Sequence, residues 1–144
     1  MMKKSKQNIL KKVLVVFLSV ILALATVYFI GTGLMRRGDV YIGEYSVSED
    51  GKTMEIRAGV AGSMGYIRSA APKRDGDRLK LTFYAAFGGL NSSLGAKSVY
   101  ELSLDEEITE ICLFRGSEGY ETIFAKNTET GQWTRVYGNI DYAK

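Results

Sequence analysis

The sequence predicts an all-β fold, an antiparallel β-sandwich of about seven to eight strands, Ig-like or small barrel-like, preceded by one N-terminal transmembrane helix. Two observations predict this architecture. An apolar run without charge, residues 13–30, follows a lysine-rich N-terminus. From Val40 onward, short apolar or alternating segments are separated by turn residues, which is the pattern of strands joined by hairpins and short loops.

The N-terminal segment has the charge and length of a signal anchor. Five lysines lie in the basic n-region, residues 1–12, and the apolar run is about 27 Å long as a helix, close to the hydrocarbon thickness. We predict a transmembrane helix over residues 13–35 and a short tether over 36–39. The positive-inside rule puts the N-terminus in the cytoplasm and the β domain, residues 40–137, outside the plasma membrane.

A cleaved secretory signal is the alternative for the same segment. Ala23 and Ala25 form a small-residue cleavage site, and cleavage after Ala25 would release the domain. The apolar run exceeds the usual signal-peptide core of about 7–15 residues, which favours the uncleaved anchor. The sequence is compatible with both the uncleaved anchor and the cleaved signal.

Turn residues and alternation divide the β domain into strands. Asp50-Gly51 is a strong hairpin signal, and Pro72 marks an edge strand. Residues 108–115 are more uniformly apolar, which indicates a central strand. Residues 138–144 form a C-terminal tail. The predicted strands cover residues 40–47, 53–60, 64–71, 78–87, 97–104, 108–115, 120–126 and 133–137.

The connections between these strands fall into two kinds. If consecutive strands alternate in direction, connections 61–63, 88–96 and 116–119 lie at one end, and all three are rich in small residues. The charged turns then lie at the other end. Because the tether is short, we expect the small-residue end to face the membrane.

Composition excludes several classes of function. The chain has no histidine and one cysteine, so it lacks the commonest metal ligand and any intrachain disulfide. The five N-terminal lysines leave fourteen Lys and Arg residues against sixteen Asp and Glu residues. The domain therefore has no basic stripe for nucleic acid. We expect no metal, no cofactor, no catalytic residue and no nucleic-acid partner.

Candidate binding residues lie in the small-residue connections and beside them. Tyr66 and Arg68, on one face of a predicted strand, could recognise an anion or a sugar; the alternative is a bulged strand with a surface arginine. The loop around residues 88–96 resembles a phosphate loop, but Ala96 separates Gly95 from Lys97. The predicted binding residues are Ser63, Tyr66, Arg68, Asn91, Ser92, Ser93 and Arg115.

Three segments are similar to small membrane-anchored or exported proteins of Gram-positive bacteria. The segments are YSVSEDGKTMEIRAGVAGSMGYIR, LTFYAAFGGLNSSLGAK and ITEICLFRGSEGYETIFAKNTETGQW. These proteins pair one N-terminal hydrophobic segment with a compact β domain. The resemblance implies a fold and a location, and it implies no activity or catalytic residue.

The function expected from the sequence is that of a noncatalytic extracytoplasmic binding or accessory module. Residues 13–35 would contact the lipid bilayer, and the domain would bind a membrane protein or an envelope polymer. One alternative is a cell-envelope hydrolase that uses Glu101, Glu110 or Glu121, which needs two of them in one pocket. The other is a secreted adhesin-like domain. Cys112 is expected to be a buried strand residue.

Overall fold

The described part of the chain forms one helix followed by nine strands. The computed structural model describes residues 2–62, 65–86, 93 and 95–136, without the side chains of residues 2–5 and 30–32. A 3₁₀ turn spans Gly116–Glu118. The elements are α1 (Met2–Thr32), β1 (Met35–Arg37), β2 (Val40–Val47), β3 (Thr53–Val60), β4 (Ser69–Asp75), β5 (Arg78–Ala85), β6 (Val99–Ser103), β7 (Glu110–Phe114), β8 (Tyr120–Lys126) and β9 (Trp133–Arg135).

Helix α1 is long and apolar enough to cross a membrane. Its apolar window, Lys6–Phe29, has 24 residues and a mean hydropathy of 2.4, and none of the window is buried against the rest of the protein. The hydroxyls of Ser19 and Thr26 donate to carbonyl oxygens four residues earlier, at 2.9 and 2.8 Å. These two polar groups are therefore satisfied within the helix.

The strands form two sheets. Sheet A has the order β1-β5-β7-β8-β9, and β4 pairs with the other edge of β5. Sheet B has the order β2-β3-β6 and is antiparallel throughout. Within sheet A, β7 pairs with the first half of β5 and β1 with its last three residues. Strands β7 and β1 thus share one edge of β5, end to end.

The core lies between the two sheets. Alternation turns Leu81 and Phe83 of β5 inward, and Met54 and Ile56 of β3 meet them from sheet B; all four are fully buried. Two aromatic pairs join the sheets: Tyr45 with Phe124, at a centroid distance of 4.6 Å, and Phe83 with Tyr100, at 5.1 Å. The predicted sandwich-like fold with one N-terminal apolar helix is thereby confirmed in outline.

Pairing departs from the predicted antiparallel arrangement at one point. Strands β5 and β7 are parallel, with Arg78 opposite Glu110 and Leu81 opposite Leu113. The cause is that β6, which lies between them in sequence, belongs to sheet B. Two strands that run in the same direction therefore become neighbours in sheet A. In the described part of the chain the two sheets do not close into a barrel.

The largest differences from the predicted strand bounds lie in β4 and in the segment before β2. Strand β4 covers Ser69–Asp75 rather than 64–71. Residues 65–68 belong to no strand, although Ile67 among them is buried in the core. Residues 35–37, assigned from sequence to the helix end and the tether, form β1. This strand covers the part of β5 that extends beyond the end of β7.

The junction between α1 and β1 is two residues long. The N–H of Gly33 donates to the carbonyl of Phe29 at 2.9 Å, and that of Leu34 to the carbonyl of Ala85 at 3.0 Å. Gly33 has a φ of +77°, and a Cβ there would lie 2.7 Å from the backbone of Ala85. Only glycine combines this backbone conformation with so close an approach.

Candidate functional site

One end of the sandwich is the end at which α1 joins it. We call this the proximal end and define it by the described residues among 33–39, 61–68, 86–98 and 115–119. Strand pairing places Val40 opposite Val60, and Met35 opposite Ala85. The β2–β3 ladder continues beyond Val40 and Val60, since the Ala61 N–H donates to the Asp39 carbonyl at 2.9 Å. Arg115, which follows β7 in sheet A, donates to the Val40 carbonyl of sheet B at 2.6 Å and so aligns the two sheets at this end.

Strand direction alternates along the whole chain from β2 to β9. The parallel pair does not disturb this alternation, because an oppositely directed strand, β6, separates β5 from β7 in sequence. The described residues of the small-residue connections therefore lie at the proximal end. The charged turns form the opposite, distal end, which we define by residues 48–52, 76–77, 104–109 and 127–132.

A cleft of about 250 Å³ opens at the proximal end. Its lining comes from three segments: residues 58–60 at the end of β3, residues 65–67, and residues 96–98 ahead of β6. The Lys97 N–H donates to the Ile67 carbonyl at 2.9 Å, which fixes the second segment against the third. Tyr66 contributes a side chain that is 44% exposed.

An ion pair beside the cleft packs against Gly62 and Gly65. The Arg37 Nε and Nη2 donate to the two carboxylate oxygens of Asp39 at 2.8 and 2.6 Å. The hydrogen bond from Arg37 lowers the pKa of Asp39, outweighing its partial burial. A Cβ at Gly65 would lie 2.8 Å from Arg37 Nη2. The pair therefore packs directly against the segment that carries Tyr66.

Sequence reasoning missed Arg37 and Asp39. Their spacing of two residues places both side chains on one side of an extended segment, which is a signal available from the sequence. Assigning residues 36–39 to a tether concealed it.

Among the predicted binding residues that the structure describes, Tyr66 alone lines the cleft. Arg68 is 2% exposed, which corrects the expectation of a side chain that shares an exposed strand face with Tyr66. Its N–H donates to the Tyr84 carbonyl at 2.9 Å. A Cβ at Gly95 would lie 2.9 Å from Arg68 Nη1, so the guanidinium packs beneath that residue.

The remaining predicted binding residues lie in the connections of the proximal end. Ser63, Asn91 and Ser92 lie outside the described residues. Ser93 is exposed, and its carbonyl accepts the Ala96 N–H at 3.1 Å.

Arg115 joins the two sheets at the proximal end. Its Nε donates to Glu121 Oε2 at 2.7 Å, and its Nη1 donates to the Val40 carbonyl at 2.6 Å. The first partner belongs to β8 in sheet A and the second to β2 in sheet B. Both side chains of the ion pair are largely shielded from water. Arg115 therefore acts as a clamp within the fold and does not line the cleft.

The carboxylates considered for hydrolysis lie apart. Glu101 is exposed on the outer face of sheet B, opposite Glu55. Glu110 pairs with Arg78 at 2.9 Å, and Glu121 with Arg115. Among the residues described here, no three His, Cys, Asp or Glu side chains form a group that could hold a metal ion.

Cys112 is buried on the outer side of sheet A. Its Sγ lies 3.5 Å from Thr122 Oγ1. On the same face, the hydroxyls of Tyr120 and Thr82 share a hydrogen bond of 2.7 Å between β8 and β5. Because β7 lies between those strands, the Tyr120 side chain crosses over it and shields the thiol. This agrees with the expectation of a buried strand cysteine.

A second cleft, of about 440 Å³, lies at the distal end. Its acidic side chains include Asp50 and Asp105, and both take part in turns. Asp50 Oδ1 accepts the Ser48 hydroxyl at 2.6 Å, while Asp105 Oδ1 accepts the N–H groups of Glu107 and Ile108, each at 3.0 Å. The Ser48 hydrogen bond also lowers the pKa of Asp50. These carboxylates stabilise the local backbone.

Comparison of the chain with protein-family models, curated proteins and solved structures found no match. We therefore infer the chemistry of the proximal cleft from its own lining residues. The phenol of Tyr66, the ammonium group of Lys97, the hydroxyl of Ser98 and backbone polar groups line it, and there is no carboxylate among its described lining residues. Such a lining offers hydrogen bonds and apolar contact to a bound chain.

Proposed function

We propose that the chain is a single-pass membrane protein whose extracytoplasmic β-sandwich is a noncatalytic binding module. Its proximal cleft, between residues 58–60, 65–67 and 96–98, is the contact site for another membrane protein. The observation that carries the proposal is the two-residue junction between α1 and β1. Two residues span at most about 7 Å, so the cleft stays close to the surface of a membrane that holds α1.

The charge distribution supports the proposed orientation. Five lysines precede the uncharged run that begins at Val13, and Arg36 and Arg37 follow α1. Under the positive-inside rule this bias places the N-terminus in the cytoplasm and the sandwich outside. The Ig-like description of the sandwich and the resemblance to exported Gram-positive proteins belong to the same proposal.

The alternatives lack a specific supporting contact. A hydrolase would need two of Glu101, Glu110 and Glu121 in one pocket, and two of the three are held by arginines on different parts of sheet A. An envelope polymer could also enter the cleft, but the short junction favours a partner that is itself held at the membrane. The secreted adhesin depends on cleavage after Ala25.

Photocrosslinking tests the proposed contact. We would place benzoylphenylalanine at Tyr66 in the cleft or at Glu49 on the distal end of the full-length chain, and irradiate native membranes. A discrete adduct with one membrane protein is expected from position 66 and not from position 49. Equal adducts at both positions, or none at position 66, would contradict the proposal.

Matched charge variants provide the control. Lys97 lines the proximal cleft and Lys52 lines the distal one. We expect Lys97→Ala to lower the yield of the adduct from position 66 several-fold, and Lys52→Ala to leave it unchanged. Both variants should retain the same amount of protein in the membrane fraction.

A further inference from the structure

Most exposed large hydrophobic side chains in the described part of the sandwich lie at or near its proximal end. Two flank the junction with α1, one lies in the 61–68 connection, and two lie at the start of β2 and β6. We call these five the apolar rim: Leu34, Met35, Tyr41, Tyr66 and Val99. The other two, Tyr120 and Val136, lie further along sheet A, where the Tyr120 hydroxyl bonds Thr82 and the Val136 N–H donates to the Ile123 carbonyl.

The distal end has the opposite character. Among its described residues, the exposed side chains are polar or charged, and none is a large hydrophobic. Scattered exposed hydrophobics are normal on soluble proteins, but a concentration at one end marks a contact surface. The polarity runs along the strands, from an apolar end beside α1 to a charged end away from it.

We infer that the apolar rim lies in the headgroup layer of the same membrane that holds α1. This inference rests on the membrane anchor in the proposed function. The apolar window of α1 ends at Phe29, and Leu34 is already hydrogen-bonded to the sheet. The rim therefore begins within one short linker of the point where the helix leaves the hydrocarbon.

The rim extends beyond the cleft that the proposed function assigns to a membrane protein, and its distribution fits a lipid surface around that cleft. Its residues come from both sheets and from the junction with α1, instead of forming a patch on one face. Its two tyrosines combine an apolar ring with a polar hydroxyl, which suits the membrane–water interface.

Two cations at the proximal end complement anionic lipids. Arg36 is exposed and lies over the Phe114 ring at 5.9 Å, on the outer face of sheet A. Lys97 is exposed beside the cleft. Phosphate groups of anionic phospholipids at the same depth would be attracted to both side chains.

Nitroxide labelling measures the depth of the rim. We would reconstitute the full-length chain, with Cys112→Ala as background, into vesicles of phosphatidylcholine and phosphatidylglycerol. Single cysteines at Tyr41 and Tyr66 report on the rim, and those at Glu49 and Glu129 report on the distal end. The readout is the ratio of collisions with oxygen, which concentrates in lipid, to collisions with a water-soluble nickel chelate.

We expect this ratio to be several-fold higher at positions 41 and 66 than at 49 and 129. Adding Leu34→Glu and Met35→Glu should shift the two rim labels toward the values of the distal labels. Alkaline extraction of the same vesicles tests the anchor separately. Water-like ratios at all four positions, in a chain that resists extraction, would overturn the rim inference alone. Release of the chain by extraction would overturn the anchor and the rim inference together.

Discussion

At the scale of single residues, arginines determine how the proximal end is organised. Arg37 fixes the segment beside the cleft through Asp39, Arg68 is buried beneath Gly95, and Arg115 bridges the two sheets. From sequence alone, Arg68 and Arg115 were interpreted as surface residues. An arginine that bonds a distant carbonyl has the same local sequence pattern as one that faces solvent, so this distinction requires the fold.

The Arg115 clamp yields a stability prediction. Arg115→Ala leaves the Val40 carbonyl and the Glu121 carboxylate without their partner in a poorly hydrated place, at a cost of about 1–3 kcal/mol. The matched control is Arg57→Ala, whose pair with Glu44 is exposed and expected to contribute about 0–1 kcal/mol. Urea unfolding of the full chain in detergent, followed by Trp133 fluorescence, measures both. Equal losses in the two variants would contradict the clamp.

Tyr100 makes the free energy of unfolding depend on pH in the alkaline range. Burial raises the pKa of Tyr100 from 10.0 to about 12. Between these values the unfolded chain ionises this phenol and the folded chain does not, so the free energy of unfolding falls as the pH rises. The loss attributable to this residue is about 2–3 kcal/mol.

The Tyr100→Phe variant isolates this contribution. It lacks the ionisable group and also the hydrogen bond to the Lys97 carbonyl. We expect the stability difference between the natural chain and the variant to be constant below pH about 10 and to shift in favour of the variant above it. A difference that does not change with pH would show that Tyr100 ionises equally in both states.

At the scale of elements, the sequence predicted the bounds of three long strands but did not predict β1. Strands β2, β3 and β8 match the predicted bounds, because alternation and turn residues define both of their ends. Strand β1 has only three residues, Met-Arg-Arg, and no periodicity, so its pairing is a tertiary effect. The late start of β4 has a similar origin: Ile67 is buried without belonging to a strand.

Gly33 is predicted to be essential for the pairing of β1 with β5. Gly33→Ala combines a positive φ with a Cβ 2.7 Å from the Ala85 backbone, so the junction must shift. Gly76→Ala is the control, because its φ is also positive, at +64°, and nothing lies within 4 Å of its Cβ. We expect about 1–2 kcal/mol of destabilisation at Gly76 and a larger loss at Gly33.

Hydrogen exchange distinguishes the two glycine variants. In Gly33→Ala the N–H of Leu34 should lose its protection, since its bond to the Ala85 carbonyl is broken, while the β7–β8 ladder keeps its own. In Gly76→Ala the Leu34 N–H should remain protected. Loss of protection at Leu34 in both variants would indicate general destabilisation.

At the scale of the whole molecule, the two-ended organisation could be read from the sequence, and the sheet order could not. Alternating strand direction sorted the connections correctly, because direction depends only on the order of strands along the chain. The parallel neighbours β5 and β7 depend on β6 leaving the sheet. No local pattern in residues 99–103 shows that exchange. The cleft, formed by three separated segments, was likewise invisible apart from Tyr66.

The anchored form predicts an intact N-terminus and an external domain. Mass spectrometry of the chain from native membranes should give the unprocessed mass, apart from removal of the initiator methionine, and protease added outside intact cells should digest the sandwich. A mature chain that begins at Thr26 would favour the secreted adhesin. Digestion only after cell lysis would show that the orientation is reversed.

The junction at Gly33 also has a mechanical consequence. One residue separates the end of α1 from the first hydrogen bond to the sheet, and that residue is itself packed against Ala85. In the proposed membrane-anchored form, almost no flexible linker would absorb a tilt or rotation of α1 relative to the sandwich. Such a movement is transmitted through β1 to β5, beside the core, and swings the entire sandwich with it.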